Sequence, residues 1–176
     1  MSEELKNLYD LGFKYEKEYG NCAQCSLAAL MDFFGIEEPS VFKAVTALLG
    51  GTGGMGNGNC GAYCGCVVTF GLMYGRDRKH FSDREGAAQA SKLARELQTR
   101  FMAEYGGVTC HDVQRRVFGR KFNMQDPRER EAFETAGGHI DKCPSVVAKA
   151  VLWVGEIIQE NEKQNLEMIN IQGVKI

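Results

Sequence analysis

The hydrophobic positions near the N-terminus recur with the spacing of an α-helix. Residues 2–19 carry acidic residues in their first turn, and Ser2 can cap that turn. Gly20 follows the last turn and is typical of a helix end. The apolar face is supplied by Leu5, Leu8, Leu11 and Phe13. This pattern predicts an amphipathic helix that packs one side against a core.

The same helical pattern continues along most of the chain. Asn21 can cap a helix that runs through Phe34, and Ser40 can cap another over residues 40–49. Further helices are predicted for residues 59–75, 82–105, 110–118 and 126–136. The last helix starts near Pro144, and its buried stripe is formed by Val147, Val151, Leu152, Val154, Ile157 and Ile158.

Two segments depart from the helical pattern. Residues 50–59 read GGTGGMGNGN and predict a glycine-rich loop, and residues 162–176 are expected to form an extended tail, either a strand or an arm onto a partner. Strand-like alternation is nearly absent elsewhere. The sequence therefore predicts an all-α fold: a single-domain helical bundle over residues 1–176, with a glycine-rich loop and a short extended C-terminal tail.

Composition and charge exclude several classes of protein. The 176 residues suffice for one domain, and 44% apolar with 25% charged residues is an ordinary globular composition. A formal net charge of −2 gives no electrostatic case for nucleic acid. No apolar run approaches the roughly 20 residues that cross a bilayer, and the charged, amphipathic N-terminus is unlike a signal peptide. We expect a cytoplasmic protein that does not insert into membranes.

Four of the seven cysteines lie at predicted helix starts. Cys22 follows Asn21, Cys60 follows Asn59, and Cys110 follows Thr109. Cys143 precedes Pro144 and would be a cap itself. A helix N-terminus has unpaired N–H groups and about half a positive charge, which favours a thiolate over a thiol. In a reducing compartment, clustered cysteines more often bind metal or do redox chemistry than form permanent disulfides. These four are the candidate catalytic and metal-ligating residues.

The other three cysteines divide by their spacing. Cys25 is three residues after Cys22, and Cys64 is four after Cys60, so each pair shares a helix face and can aim two sulfurs at one point. Cys25 and Cys64 are therefore candidate cofactor-binding residues. Cys66 lies beside Val67 and Val68, and we expect it to be a packing residue.

The glycine-rich loop is also a candidate for cofactor binding. Its GTGGMG segment matches the G-x-G-x-x-G spacing of dinucleotide-binding loops, but no strand or βαβ unit surrounds it. A loop this rich in glycine can bring its backbone close to sulfurs and offer them N–H groups. Gly54 and Gly56 are the candidates here, with a plain flexible connector as the alternative.

The order of the cysteines resembles a family of small redox-active prokaryotic proteins that is labelled by its cysteine pattern. The matching residues are Cys22 in NCAQ, the glycine-rich loop, the motif Cys60-Gly61-Ala62-Tyr63-Cys64-Gly65, Cys110 in TCHDV and Cys143 in CPSVV. The resemblance spans residues 20 to about 155. It implies an all-helical domain and a redox or metal role for Cys22, Cys60, Cys110 and Cys143. Cys25, Cys64 and Cys66 are additions to the family pattern.

The leading hypothesis is a redox protein, an electron carrier or oxidoreductase, in which the four cysteines ligate an iron–sulfur cluster. A thiol–disulfide protein without metal and a structural zinc-binding module are the alternatives, and a non-catalytic helical interaction module is a further one. The expected partner is an unidentified redox protein. The apolar tail also suggests a homodimer.

Overall fold

The computed structural model describes residues 1–171, and these form a helical bundle. They contain eight α-helices, short 3-10 and π-helical turns, and no β-strand beyond one isolated bridge. The helices are α1 Glu3–Tyr19, α2 Cys22–Phe34, α3 Pro39–Ala44, α4 Gly61–Tyr74, α5 Ala88–Tyr105, α6 Cys110–Phe118, α7 Pro127–Thr135 and α8 Cys143–Ile171. The prediction of an all-α fold is confirmed.

Helix α8 lies at the centre of the bundle. All residues of its predicted apolar stripe are fully buried except Leu152, which is half-buried. Helix α1 lies along α8, and a Cβ at Gly12 would be 2.7 Å from Val151 Cγ2, so the missing side chain permits close contact. Helices α2, α4 and α5 also pack on α8, and Phe70 and Phe101 fill the space between them.

Helices α2 and α4 cross at a short distance because glycines face the contact. A Cβ at Gly65 would lie 2.4 Å from the Ala23 carbonyl oxygen and 2.1 Å from Ser26 Oγ. Gly61 occupies the same face one turn earlier, next to Cys22 and Ala23. The glycines of the CGAYCG motif therefore bring the first turn of α4 against the first turn of α2.

Two predicted helices are shorter in the structure. The helix expected over residues 40–49 ends at Ala44 and continues as a 3-10 turn, Thr46–Leu48. The helix expected from Ser82 starts at Ala88, because the Asp83 side chain accepts hydrogen bonds from the N–H groups of Glu85 and Gly86 and closes a local turn. Both differences fall at ends where side chains compete with helical hydrogen bonds.

The C-terminal tail differs from the prediction. An extended segment was expected over residues 162–176, but α8 continues to Ile171, so the expectation is wrong for residues 162–171. This stretch holds strong helix formers such as Glu, Lys, Gln and Leu, and no glycine or proline interrupts it before Gly173. Residues 172–176 lie outside the described residues.

Candidate functional site

The first turn of α2 presents Cys22 next to a helix cap. Asn21 caps the helix as predicted, and its side-chain oxygen accepts a hydrogen bond from the N–H of Gln24 at 3.3 Å. Cys22 is therefore the first helical residue. The Asn21 amide also donates to the Thr46 carbonyl, which ties this turn to the segment before the glycine-rich loop.

A short antiparallel bridge brings Cys60 and Cys110 together. Asn59 pairs with Thr109, the N–H of Cys60 donates to the Val108 carbonyl at 2.7 Å, and the N–H of Cys110 donates to the Gly58 carbonyl at 3.0 Å. Two cysteines that are fifty residues apart in the sequence are thus fixed side by side through their backbones.

The four helix starts differ in detail from the prediction. Cys110 follows a Thr109 cap with a complete capping box from Asp112. Cys60 is itself the cap residue of α4, and Asn59 makes no side-chain capping bond. Cys143 does not cap a free helix end, because a π-helical turn, Gly138–Lys142, leads directly into α8 and the Cys143 N–H donates to the Gly138 carbonyl.

The four cysteines at the predicted helix starts line one cavity of about 310 Å³. Cys22, Cys60, Cys110 and Cys143 all line it, although they come from four different parts of the chain. The remaining lining is mainly apolar and comes from α6, α7, α8 and the segment between α6 and α7, together with Glu16 of α1, Ala62 of α4 and part of the glycine-rich loop. The expectation that these four side chains meet at one place agrees with this arrangement.

The glycine-rich loop is folded tightly against this cavity. Gly50 and Gly54 line the cavity, and a backbone hydrogen bond from Gly50 lowers the pKa of Cys22 against the larger effects that raise it. Gly56 lies elsewhere, under the His111 ring, where a Cβ would be 1.9 Å from Nε2. Thr52 has φ +67°, a strained value for a residue with a side chain, and hydrogen bonds such as that from the Gly56 N–H to the Gly50 carbonyl hold the loop in this shape. The cofactor-binding roles of Gly54 and Gly56 stay predictions.

The three additional cysteines do not line the cavity. Cys25 is buried behind Cys22, with its sulfur 3.4 Å from the Tyr15 carbonyl oxygen. Cys64 is half-buried, and its sulfur is 3.9 Å from the Asn59 carbonyl oxygen. Cys66 is fully buried in the core, as expected of a packing residue. The cofactor-binding roles of Cys25 and Cys64 stay predictions.

Three of the cavity cysteines, Cys22, Cys110 and Cys143, favour the thiol form, which is the opposite of the expected thiolates. A hydrogen bond with Cys60 and burial raise the Cys22 pKa well above its ordinary value. Burial also raises the pKa of Cys143 well above its ordinary value and that of Cys110 to about 12. Removal from water therefore outweighs the helix N-termini at this site.

Glu16 is a cavity residue that the sequence analysis missed. Its side chain is 1% exposed and lines the cavity, and Oε2 has no hydrogen-bond partner among the described residues. Burial raises its pKa to about 8, while a hydrogen bond from Cys25 acts in the other direction. The signal was present in the sequence, because Leu8, Gly12 and Glu16 follow one another at four-residue intervals on the buried face of α1.

The cysteines surround a space rather than a single point. Within residues 1–171, no three His, Cys, Asp or Glu side chains lie close enough together to hold one metal ion. All seven cysteines are free thiols. A cavity lined by several thiols suits a cofactor of several atoms, or thiol chemistry, better than a single metal ion.

The fold and the cavity define a class: an all-α protein in which cysteines from separate helices line one cavity. A family model described as "Putative redox-active protein (C_GCAxxG_C_C)" matches residues 20–157, and the chain belongs to this family. No curated protein and no solved structure matches the chain significantly. Among residues 1–171, none of the helices combines the length and hydropathy needed to cross a bilayer.

Proposed function

We propose that the cavity is a redox centre in which Cys22, Cys60, Cys110 and Cys143 hold an iron–sulfur cluster, and that the protein carries electrons. The observation that carries this proposal is the convergence of these four thiols on one cavity from four separate parts of the chain. Cysteine thiolates are the usual ligands of such clusters, which supply one-electron chemistry when bound.

The donor set and its surroundings fit such a group. Four sulfurs arranged around a volume suit a group of several atoms better than one zinc ion, whose four ligands must meet at about 2.3 Å from one point. A backbone hydrogen bond from Gly50 lowers the pKa of Cys22, and such bonds tune the reduction potential of a cluster. The apolar walls exclude water, and ligation would require the buried thiols to release their protons.

A second function, thiol–disulfide exchange, is favoured by one specific contact. A hydrogen bond with Cys60 raises the pKa of Cys22, and Cys22 packs against the residue that follows Cys60, since a Cβ at Gly61 would lie 2.4 Å from the Cys22 sulfur. A disulfide substrate would accept two electrons and two protons from this pair. The products would be two substrate thiols and a Cys22–Cys60 disulfide.

Anaerobic purification distinguishes the two functions. We expect a brown protein that contains iron and acid-labile sulfide, and Cys22→Ser, Cys60→Ser, Cys110→Ser and Cys143→Ser each to lower both contents strongly. Cys66→Ser is not a clean control, because it would bury a hydroxyl in the core, so Cys66→Ala serves instead. A colourless protein without iron, in which diamide converts two thiols reversibly to a Cys22–Cys60 disulfide, would contradict the cluster and support thiol exchange.

A further inference from the structure

One wall of the cavity is formed by apolar side chains of α6, α7 and the segment between them. Val113, Val117 and Phe118 of α6 line it, together with Met124 and with Phe133 of α7. Phe118 and Phe133 also belong to an aromatic cluster, with ring centroids 5.3 Å apart. Protein interiors contain few voids larger than a water molecule, and small-ligand sites commonly start at about 300 Å³. The volume of about 310 Å³ is that of the whole cavity, including the space between the four sulfurs, so an organic ligand would occupy the part along the apolar wall.

The polar groups of this cavity are few. Arg130 lines it from α7, is exposed, and forms no ion pair within the described part of the chain. His139, by contrast, is engaged by Glu134 at 2.7 Å. Arg130 is thus the cation in the lining that can receive an anion, and a guanidinium binds a carboxylate through two parallel hydrogen bonds.

Glu16 supplies an independent sign that something polar binds here. Buried polar atoms are almost always hydrogen-bonded, yet Oε2 of this fully buried side chain has no partner among residues 1–171. Burial raises the pKa of this carboxyl to about 8, which favours its neutral form, and the neutral form does not repel an anionic ligand. It can donate a hydrogen bond to an oxygen of that ligand.

We propose that the cavity binds a small, mainly apolar carboxylate, whose hydrocarbon part lies against the α6 and α7 side chains and whose carboxylate pairs with Arg130. Glu16 would hydrogen-bond a further polar atom of the ligand. Binding of this ligand does not rest on the proposed redox function.

Binding is tested with 2-naphthoate and its neutral analogue 2-naphthamide, by isothermal titration calorimetry on the anaerobically purified full chain. We expect Arg130→Gln to weaken 2-naphthoate binding about three- to tenfold and to leave 2-naphthamide unchanged. Arg128→Gln is the matched control, since Arg128 is exposed on the same helix and does not line the cavity. Val117→Phe should fill the cavity and reduce the affinity for both probes.

Iron and sulfide contents and the melting temperature are measured for every variant, so loss of the centre or of the fold is seen separately from loss of binding. No binding of 2-naphthoate at millimolar concentration would overturn the proposal even if the cluster is present. Equal affinity in Arg130→Gln and Arg128→Gln would overturn the role of Arg130. Binding that Val117→Phe leaves unchanged in a folded protein would place the ligand elsewhere and overturn the assignment of the cavity.

Discussion

A methyl group on the Cα of Gly61 would lie 2.4 Å from the sulfur of Cys22. It would also lie 2.9 Å from the Ala23 backbone nitrogen, so neither helix could stay in place. The absence of a side chain at Gly61 therefore allows Cys22 to approach Cys60, the residue that immediately precedes Gly61. The missing side chain at Gly61 has a direct role in the geometry of the cysteines.

This relationship predicts different outcomes for two glycine substitutions. Gly61→Ala should separate Cys22 from Cys60, and it should lower both the free energy of unfolding and the iron content. Gly65→Ala should cost a similar free energy, on the order of 1–3 kcal/mol, because its Cβ would meet Ser26 and Ala23. It lies one turn away from the sulfurs, so the iron content per folded chain should fall less. Urea unfolding and iron analysis measure the two effects, and equal iron contents in both variants would contradict this role of Gly61.

The helices could be predicted from the sequence because their signals are local. The spacing of Leu5 and Leu8, the Asn21 cap and the stop at Gly20 each depend on residues within a few positions. The convergence of the cysteines was inferred from a shared local feature, their position at helix starts. The prediction of four free helix starts was only partly correct, because Cys143 follows a π-helical turn. The four side chains nevertheless line one cavity.

The missing parts of the site depend on contacts between distant segments. The α6 and α7 walls of the cavity could not be predicted, because nothing local relates Val117 to Cys22. The direction of the thiol pKa values was wrong for the same reason: helix N-termini are visible in the sequence, whereas the burial that raises the pKa of Cys110 is a property of the packed bundle. The spacing of Glu16 from Leu8 could have predicted that Glu16 is buried, but not that it lines a cavity.

The two cysteines that follow Cys60 should respond differently to truncation. Cys66→Ala should lower the free energy of unfolding by about 1 kcal/mol through a small cavity in the core and leave the iron content unchanged. Cys64 is half-buried and does not line the cavity, and burial raises its pKa to about 11. Cys64→Ala should therefore retain iron if the four family cysteines are sufficient. Loss of iron on Cys64→Ala would add Cys64 to the ligands.

The pKa of Cys110 predicts slow alkylation of the metal-free protein. With a pKa of about 12, very little thiolate is present at pH 7, and iodoacetamide reacts with the thiolate. Cys110 should be modified at least about a hundredfold more slowly in the native state than in urea, as measured by peptide mass spectrometry. Modification at pH 6 that is faster than that of a simple thiol would show that the helix N-terminus dominates after all.

Thr52 predicts a stabilising substitution in the glycine-rich loop. Its φ of +67° is unfavourable for a side chain with a branched Cβ, so Thr52→Gly should raise the free energy of unfolding by up to about 1 kcal/mol. Gly51→Ala is the opposing control, because Gly51 also has positive φ and its Cβ would lie 2.7 Å from the Gly56 backbone. Thermal melting measures both variants. A Thr52→Gly protein that melts below the wild type would contradict the strain at this position.

Glu16 predicts a pH dependence of stability with a definite sign. Its pKa rises from 4.5 to about 8 on folding, so between these values the folded protein keeps a proton that the unfolded chain has released. The free energy of unfolding of the reduced, metal-free protein should therefore fall as the pH rises from about 5 to about 8. Glu16→Gln has no such proton, so its free energy of unfolding, relative to that of the wild type, should rise by roughly 2–4 kcal/mol over this range.

Urea unfolding of both proteins at several pH values measures this difference. The three histidines titrate in both proteins, so their contribution cancels when the two curves are subtracted. Glu18→Gln, an exposed change on the same helix, should follow the wild type, and a Glu16→Gln curve parallel to the wild type would show that the buried carboxyl does not carry the shifted pKa.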